Sequence, residues 1–187
     1  MATETAARRF NVHEFHRLAE VGILAEDDRV ELLHGQIMVM APIGENHRTV
    51  VDSLAELFTD QRRGRYRVGA QNPVLIDDED EPQPDLVLYD RAAIGRHPTP
   101  GDVFLIVEVA DSSLDYDQRS KLPVYAGAEI REVWIIDLVR RCVQVYREPQ
   151  NADLRYAILE THDQTSWVSS LAFPDVRVRL NDLLRPG

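Results

Sequence analysis

The chain has 187 residues, 44% of them hydrophobic and 28% charged, with a formal net charge of −11. Those are globular values, and the length suits one domain (1–187, core about 10–184) with a sizeable buried interior. No stretch is long and apolar enough to span a bilayer. The acidic balance argues against broad electrostatic binding of nucleic acid, though not against a local basic surface. The single cysteine, Cys142, excludes an internal disulfide and a cysteine-cluster metal site.

The opening MATETAARRF has no apolar run of the secretory kind, so a cytoplasmic protein is the expectation. Asn11 is placed to cap a first helix over 12–22, with Phe15 and Leu18 on one face. His13 and His16 lack an i, i+4 partner and read as ordinary surface or packing residues. In RVELLHGQIMVMAP (29–42), two short apolar runs flank His34-Gly35, which predicts a β-hairpin with Glu31 in its first strand. Residues 46–63 form an amphipathic helix capped by Asn46, with Val50, Leu54, Leu57 and Phe58 at helical spacing. QRRGRYR (61–67) is the main basic cluster, and Arg62, Arg63, Arg65 and Arg67 are its cations. RYRVGAQNPVLI (65–76) reads as one long or bent strand. DDEDE (77–81) reads as a solvated loop, since it lacks the glycine turn and alternating ligands of a calcium loop.

Two strings follow that differ from ordinary strand sequence. PQPDLVLYD (82–90) and FLIVEVADSS (104–113) are β-prone runs whose apolar continuity fits central strands covered on both faces. Each carries one acid where the run should be buried, Asp85 and Glu108. A buried carboxylate is expensive unless a metal or a cation compensates it. Two such acids in successive strands point to a divalent-metal site. Ser112 and Ser113 precede a helix over 115–128 and read as turn or cap residues. In that helix Leu122, Tyr125 and Ala126 face the core, and Pro123 marks a kink or a restart. EVWIIDL (132–138) is a strand with Trp134 in the core, and RRCVQVYRE (140–148) is its hairpin partner, with Cys142 as a small buried residue. Short strands around 155–160 and 176–178 and a final helical turn at 181–184 complete a mixed α/β domain with a central sheet.

Mg²⁺ and Mn²⁺ take oxygen ligands, so two carboxylates and a backbone carbonyl can hold one beside a phosphate. A lysine nearby would stabilise a negative transition state or help activate water. Lys121 is the only lysine in the chain, and lysine, unlike arginine, can deprotonate when buried. The plain alternative is a surface lysine on a helix. No P-loop, G-x-G-x-x-G or G-x-S-x-G string is present, so nucleotide binding and serine hydrolysis have no support.

In this order and at these spacings, RVELLHGQI, MAPIGENH, PQPDLVLY, IVEVADSS and DQRSKLPVYAGAEIREVWIID resemble the Uma-type family of putative restriction endonucleases. That family belongs to the PD-(D/E)xK nuclease superfamily. The resemblance runs from about Phe10 to Leu184. It implies a restriction-endonuclease-like fold, with a central mixed β-sheet flanked by helices and preceded by an N-terminal helix and β-hairpin. It implies an Mg²⁺- or Mn²⁺-dependent endonuclease with DNA as substrate and a homodimer as the acting form. Asp85 becomes the acid of the PD element and a metal ligand, and Glu108 the second acid and ligand, with the Val109 carbonyl beside them. Lys121 matches the lysine of a D-x-x-x-K-x-x-x-Y pattern, here Asp117, Lys121 and Tyr125. Glu31 is a third acid for the metal, and His47 would touch substrate phosphate or cap its helix.

The chain departs from the pattern twice. The superfamily's usual lysine position, two residues after the second acid, is Ala110. The family's S-P-S after E-V is replaced by Ala110-Asp111-Ser112-Ser113, which adds an acid. These departures, and the acidic charge, keep a second reading open: a catalytically inactive protein of this fold that serves as a metal-binding or regulatory module. A third reading is an acidic interaction protein without metal.

Overall fold

The computed structural model describes residues 7–25 and 27–184. The first helix, α1 (Val12–Glu20), starts where its cap predicts. Asn11 Oδ1 accepts the Glu14 N–H at 2.8 Å, and the Glu14 carboxylate accepts the Asn11 N–H at 3.2 Å. The hairpin follows as β1 (Val30–Leu33) and β2 (Gln36–Val39), paired in register from Val30↔Val39 to Leu33↔Gln36. His34 and Gly35 both take positive φ, 51° and 68°, as a two-residue hairpin turn requires.

Gly35 is needed for a second reason. A Cβ there would lie 2.6 Å from the Arg9 Cβ and 3.0 Å from the Phe10 carbonyl, while the Phe10 N–H bonds the Gly35 carbonyl at 2.8 Å. Gly35→Ala is expected to lower stability by about 1–3 kcal/mol in urea unfolding. His34→Asn, which tolerates the same region, should stay near wild type.

The long helix α2 (Glu45–Gln61) is amphipathic as its spacing predicts, and Val50, Val51, Leu54 and Phe58 are buried. Its cap position is Gly44, however, and Asn46 lies inside the first turn. The expected strand over 65–76 is also shorter. β3 (Arg67–Ala70) stops where Gln71 turns to φ 52° and gives its N–H to the Asp85 carbonyl at 2.9 Å.

The two acid-bearing strings become β4 (Leu86–Tyr89) and β5 (Val103–Ala110). After β5 the expected helix over 115–128 is built in three pieces: α3 (Leu114–Tyr116), a wide turn (Asp117–Lys121) and α4 (Leu122–Gly127). In the wide turn the Leu122 N–H reaches the Asp117 carbonyl, five residues back. Pro123, which has no N–H to give, follows at once, so the irregularity sits where the proline predicts a kink or a restart. Then come β6 (Glu132–Asp137), β7 (Cys142–Gln150) and β8 (Arg155–Asp163), the last longer than expected. A small pair, β9 (Val168–Ser169) and β10 (Arg177–Val178), and the turn α5 (Leu180–Leu183) close the fold. β9 is too short to leave a pattern in the sequence.

Six strands form one mixed sheet in the order β3-β4-β5-β6-β7-β8. Only β5 and β6 run parallel, and the chain between them is the interrupted helix. Side-chain alternation along β5 decides what faces what. Leu105, Val107 and Val109 join the core under α2, together with Trp134, Phe58 and Leu54. Ile106 and Ala110 face the other way, with Leu122 and Tyr125 of α4. Glu108 shares their parity, so its carboxylate points at α4 and the wide turn. Among the described residues no helix is long and apolar enough to cross a membrane.

The DDEDE string is exposed, as expected of a solvated loop, only over Asp77, Asp78 and Glu79. Asp80 and Glu81 are buried. Asp80 accepts the His34 N–H at 2.6 Å, and the Glu81 backbone bonds Leu32 in both directions. Within this run the Asp80 carboxylate and the Glu81 backbone dock the hairpin, which composition alone does not reveal.

Candidate active site

Four parts of the chain bring charged groups to one place. β1 supplies Glu31, the turn into β4 supplies Asp85, β5 supplies Glu108 and the wide turn supplies Lys121. Asp85 Oδ2 accepts the Val109 N–H at 2.8 Å and lies 3.0 Å from His47 Nε2 in the first turn of α2. Glu108 Oε2 accepts the Asp85 N–H at 3.3 Å, so the two strand acids are joined through backbone. Glu108 Oε1 accepts from Lys121 Nζ at 3.2 Å and from the Tyr125 hydroxyl at 2.7 Å.

Lys121 is buried; it donates to Glu108 Oε1 and to the Gln83 carbonyl at 3.3 Å, and it forms an ion pair with Glu31 Oε2 at 3.3 Å. Two of its three protons are thus given to protein oxygens, and the charge of Glu31 stands beside it. Glu31 is equally occupied, with Oε2 also taking the Gln83 N–H at 2.8 Å and Oε1 taking the Tyr116 hydroxyl at 2.7 Å. The surface reading of Lys121 is thereby removed.

The electrostatics follow from this packing. Burial alone would push the Lys121 pKa down, but Glu108, Glu31, Asp117 and Asp85 outweigh it and hold the amine above the ordinary lysine range. Lys121 is a fixed ammonium here. Burial pushes the Glu108 carboxyl well up, against the pull of Lys121. Burial likewise lifts Asp117 to about 6, again against Lys121; its Oδ2 takes the Ser113 hydroxyl at 2.8 Å. Burial also raises Tyr116 and Tyr125, which keeps both as hydrogen-bond donors.

These groups line a cleft of ≈ 390 Å³ whose other wall is the β2–α2 connection, including Met40, Pro42 and Ile43. Five carboxylates open on it, from Glu31, Asp85, Glu108, Asp111 and Asp117, against the cations Lys121 and Arg29. Such a cleft repels a phosphate unless a further cation enters. The donor set suits an oxygen-seeking divalent ion. Asp85 is only partly covered, with its side chain 14% exposed, and it is joined to Glu108 through its own N–H and to β5 through the Val109 N–H. Glu31 is placed differently. The ligand atoms of Glu31, Asp85 and Glu108 do not all fall within 4.8 Å of one another, and Lys121 stands between Glu31 and Glu108. His47 Nδ1 is buried without a partner.

The arginines of 61–67 do not line this cleft. They lie past the far end of α2, whose 17 residues span about 25 Å. Arg65 is paired there with Asp175 at 2.6 Å. Two site residues carry no mark in the sequence reading, Tyr116 and Gln83. The available signal was weak: an aromatic hydroxyl inside the polar run DSSLDYDQRSK, and a residue between two prolines whose backbone does the work.

A mixed sheet with two acids meeting at neighbouring strands, and a lysine from the following helix, defines a restriction-endonuclease-like fold. The chain belongs to the Uma2 family, described as "putative restriction endonuclease", whose model matches residues 12–181. Its structure is similar to that of a putative nuclease of DUF820 from Anabaena variabilis ATCC 29413. That likeness covers 94% of this chain and 97% of the other, with a TM-score of 0.70 and 17% identity. A more partial likeness, to the type IIG restriction endonuclease BpuSI, covers 61% of this chain and 13% of the other, with a TM-score of 0.39 and 14% identity. No curated protein matches the chain.

Proposed function

We propose that this protein is a divalent-metal-dependent endonuclease that hydrolyses phosphodiester bonds in DNA. Membership of a family described as putative restriction endonucleases supports the nuclease class. The observation that carries the finer reading is the buried Lys121 ammonium beside Glu108, in the same cleft as Asp85. In this reading Asp85, Glu108 and the Val109 carbonyl hold Mg²⁺ or Mn²⁺. When bound, the ion polarises the phosphoryl oxygen and lowers the pKa of an attacking water. Lys121, fixed as a cation, stabilises negative charge that grows on the phosphate, and it does not serve as a base. Glu31 acts by holding Lys121, with Tyr116 and Gln83 behind it. His47 orients Asp85 through Nε2.

The test is plasmid nicking by purified protein with Mg²⁺ or Mn²⁺, wild type against Asp85→Asn. Equal background cleavage by both would end the enzyme reading. DNA should approach over Arg29 and not over the distal arginines. Replacing Arg62, Arg63 and Arg67 together by alanine is expected to leave DNA affinity within about twofold. Arg29→Ala should weaken it and lower the salt slope by about one. Fluorescence anisotropy over a salt series measures both.

One observation favours the inactive reading: Lys121 is buried in an ion-pair network with Glu108 and Glu31, as in a structural core. Mn²⁺ binding without cleavage would identify that case. A homodimer is part of the proposal. β8 is an edge strand of nine residues with ladder bonds on one side only, and Leu159 on it is 55% exposed. Sedimentation across a concentration series tests it.

A further inference from the structure

A second cluster of ligating side chains lies outside the cleft. His16 Nε2 is 2.6 Å from Glu81 Oε2, and His97 Nδ1 is 2.7 Å from Glu81 Oε1. The two rings stand 5.9 Å apart at 80°. All three ligand atoms lie within 4.8 Å of one another, the one such group among the described residues. Glu81 is 2% exposed, whereas the two histidine side chains are 46% and 45% exposed, so the carboxylate is buried and the imidazoles face solvent. His16, which its sequence context reads as a surface or packing residue, is exposed but bonded to a buried carboxylate. We propose that His16, Glu81 and His97 form a site for a zinc-class divalent ion, separate from the acidic cleft.

The chemistry of the donors sets the class of ion. Two neutral imidazoles and one carboxylate are the ligands of Zn²⁺ and its transition-metal neighbours, with a fourth position open to water. Mg²⁺ and Mn²⁺, which prefer oxygen, suit the cleft instead. Zn–N and Zn–O bonds are about 2.0–2.2 Å long. An ion entering between Glu81 and the rings needs only small side-chain movements from contacts that already converge.

The position gives the ion a structural use. α1 buries none of its residues. Beyond the capping box, it is tied to the domain by the Val12 N–H to the Asp78 carbonyl and by His16 to Glu81. His97 comes from the segment between β4 and β5. An ion here would fasten three segments distant in sequence, and Glu81 lies two residues from Gln83, which holds both Glu31 and Lys121.

The test uses tag-free, chelator-stripped full chain, titrated with Zn²⁺ by calorimetry in excess Mg²⁺, with the imidazole resonances followed by NMR. One equivalent of Zn²⁺ should bind and shift the His16 and His97 resonances. His16→Gln and His97→Gln should each weaken binding by more than about tenfold, the loss that even an outer-shell partner can cause. Each variant's fold is checked by circular dichroism. Glu108→Gln should keep the site, which separates it from any Zn²⁺ taken by the cleft. Binding unchanged in both histidine variants, binding lost in Glu108→Gln, or unshifted imidazole resonances in wild type would each overturn the proposal.

Discussion

Lys121→Met should lower the unfolding free energy of the metal-free protein by about 3–5 kcal/mol, the range for removing one partner from a buried ion pair. The side chain removed is 5% exposed and lies 3.2 Å from Glu108 and 3.3 Å from Glu31, whose side chains are 3% and 0% exposed. Without the ammonium, two carboxylates share a desolvated pocket with Asp117 and no positive charge. The loss should exceed that of the shape change alone, because methionine nearly fills the space of lysine's stem. Pairing the change with Glu108→Gln separates the two contributions. The double variant should recover part of the loss, since one stranded charge is then absent. Urea unfolding of the four proteins measures the cycle. A Lys121→Met cost under about 1 kcal/mol would mean the network is no more than a surface ion pair in energy.

This network also shows what the sequence could and could not convey. Glu108 was legible because it interrupts a run of aliphatic residues, and Asp85 because it stands at the head of one, where the structure sets it in the turn before β4. Lys121 was legible because it is the only lysine. What joins them was not legible, because the joining atoms belong to the backbone and to hydroxyls: the N–H groups of Gln83, Asp85 and Val109, and the phenols of Tyr116 and Tyr125. Glu31 illustrates the consequence. As a third acid it resembles a metal ligand, yet its ligand atoms do not converge with those of Asp85 and Glu108, and Lys121 stands between it and Glu108. The errors of element assignment have similar origins. Asn46 is a good cap residue displaced by Gly44, and the strand over 65–76 ends on a left-handed Gln71 that no propensity demands. In the acidic run only Asp80 and Glu81 depart from a solvated loop, because composition says nothing about the histidines and amides that come to meet them.

Asp85→Asn is the sharper probe of chemistry, because it removes charge with little loss of packing. Asn can still accept the Val109 N–H through its amide oxygen, and the site is partly open, with 14% of the Asp85 side chain exposed. Stability should therefore change by under about 1 kcal/mol. Ligand chemistry should change much more, since a neutral amide is a poor partner for Mg²⁺ or Mn²⁺ in a cleft where Glu108 is already held by Lys121 and Tyr125. Plasmid nicking should fall by about 1,000-fold, equivalent to roughly 4 kcal/mol of lost transition-state stabilisation. Mn²⁺ affinity should fall in the same variant. Glu108→Gln is a poorer instrument because it also unbalances Lys121, so any loss of activity would mix chemistry with packing. The pair of measurements on Asp85→Asn decides between the two functional readings. Loss of both cleavage and Mn²⁺ binding makes the cleft a nuclease site. A wild type that binds Mn²⁺ but never cleaves, and loses that binding in Asp85→Asn, leaves it a metal-holding module. Cleavage that survives the substitution removes Asp85, and with it the proposed metal, from the reaction.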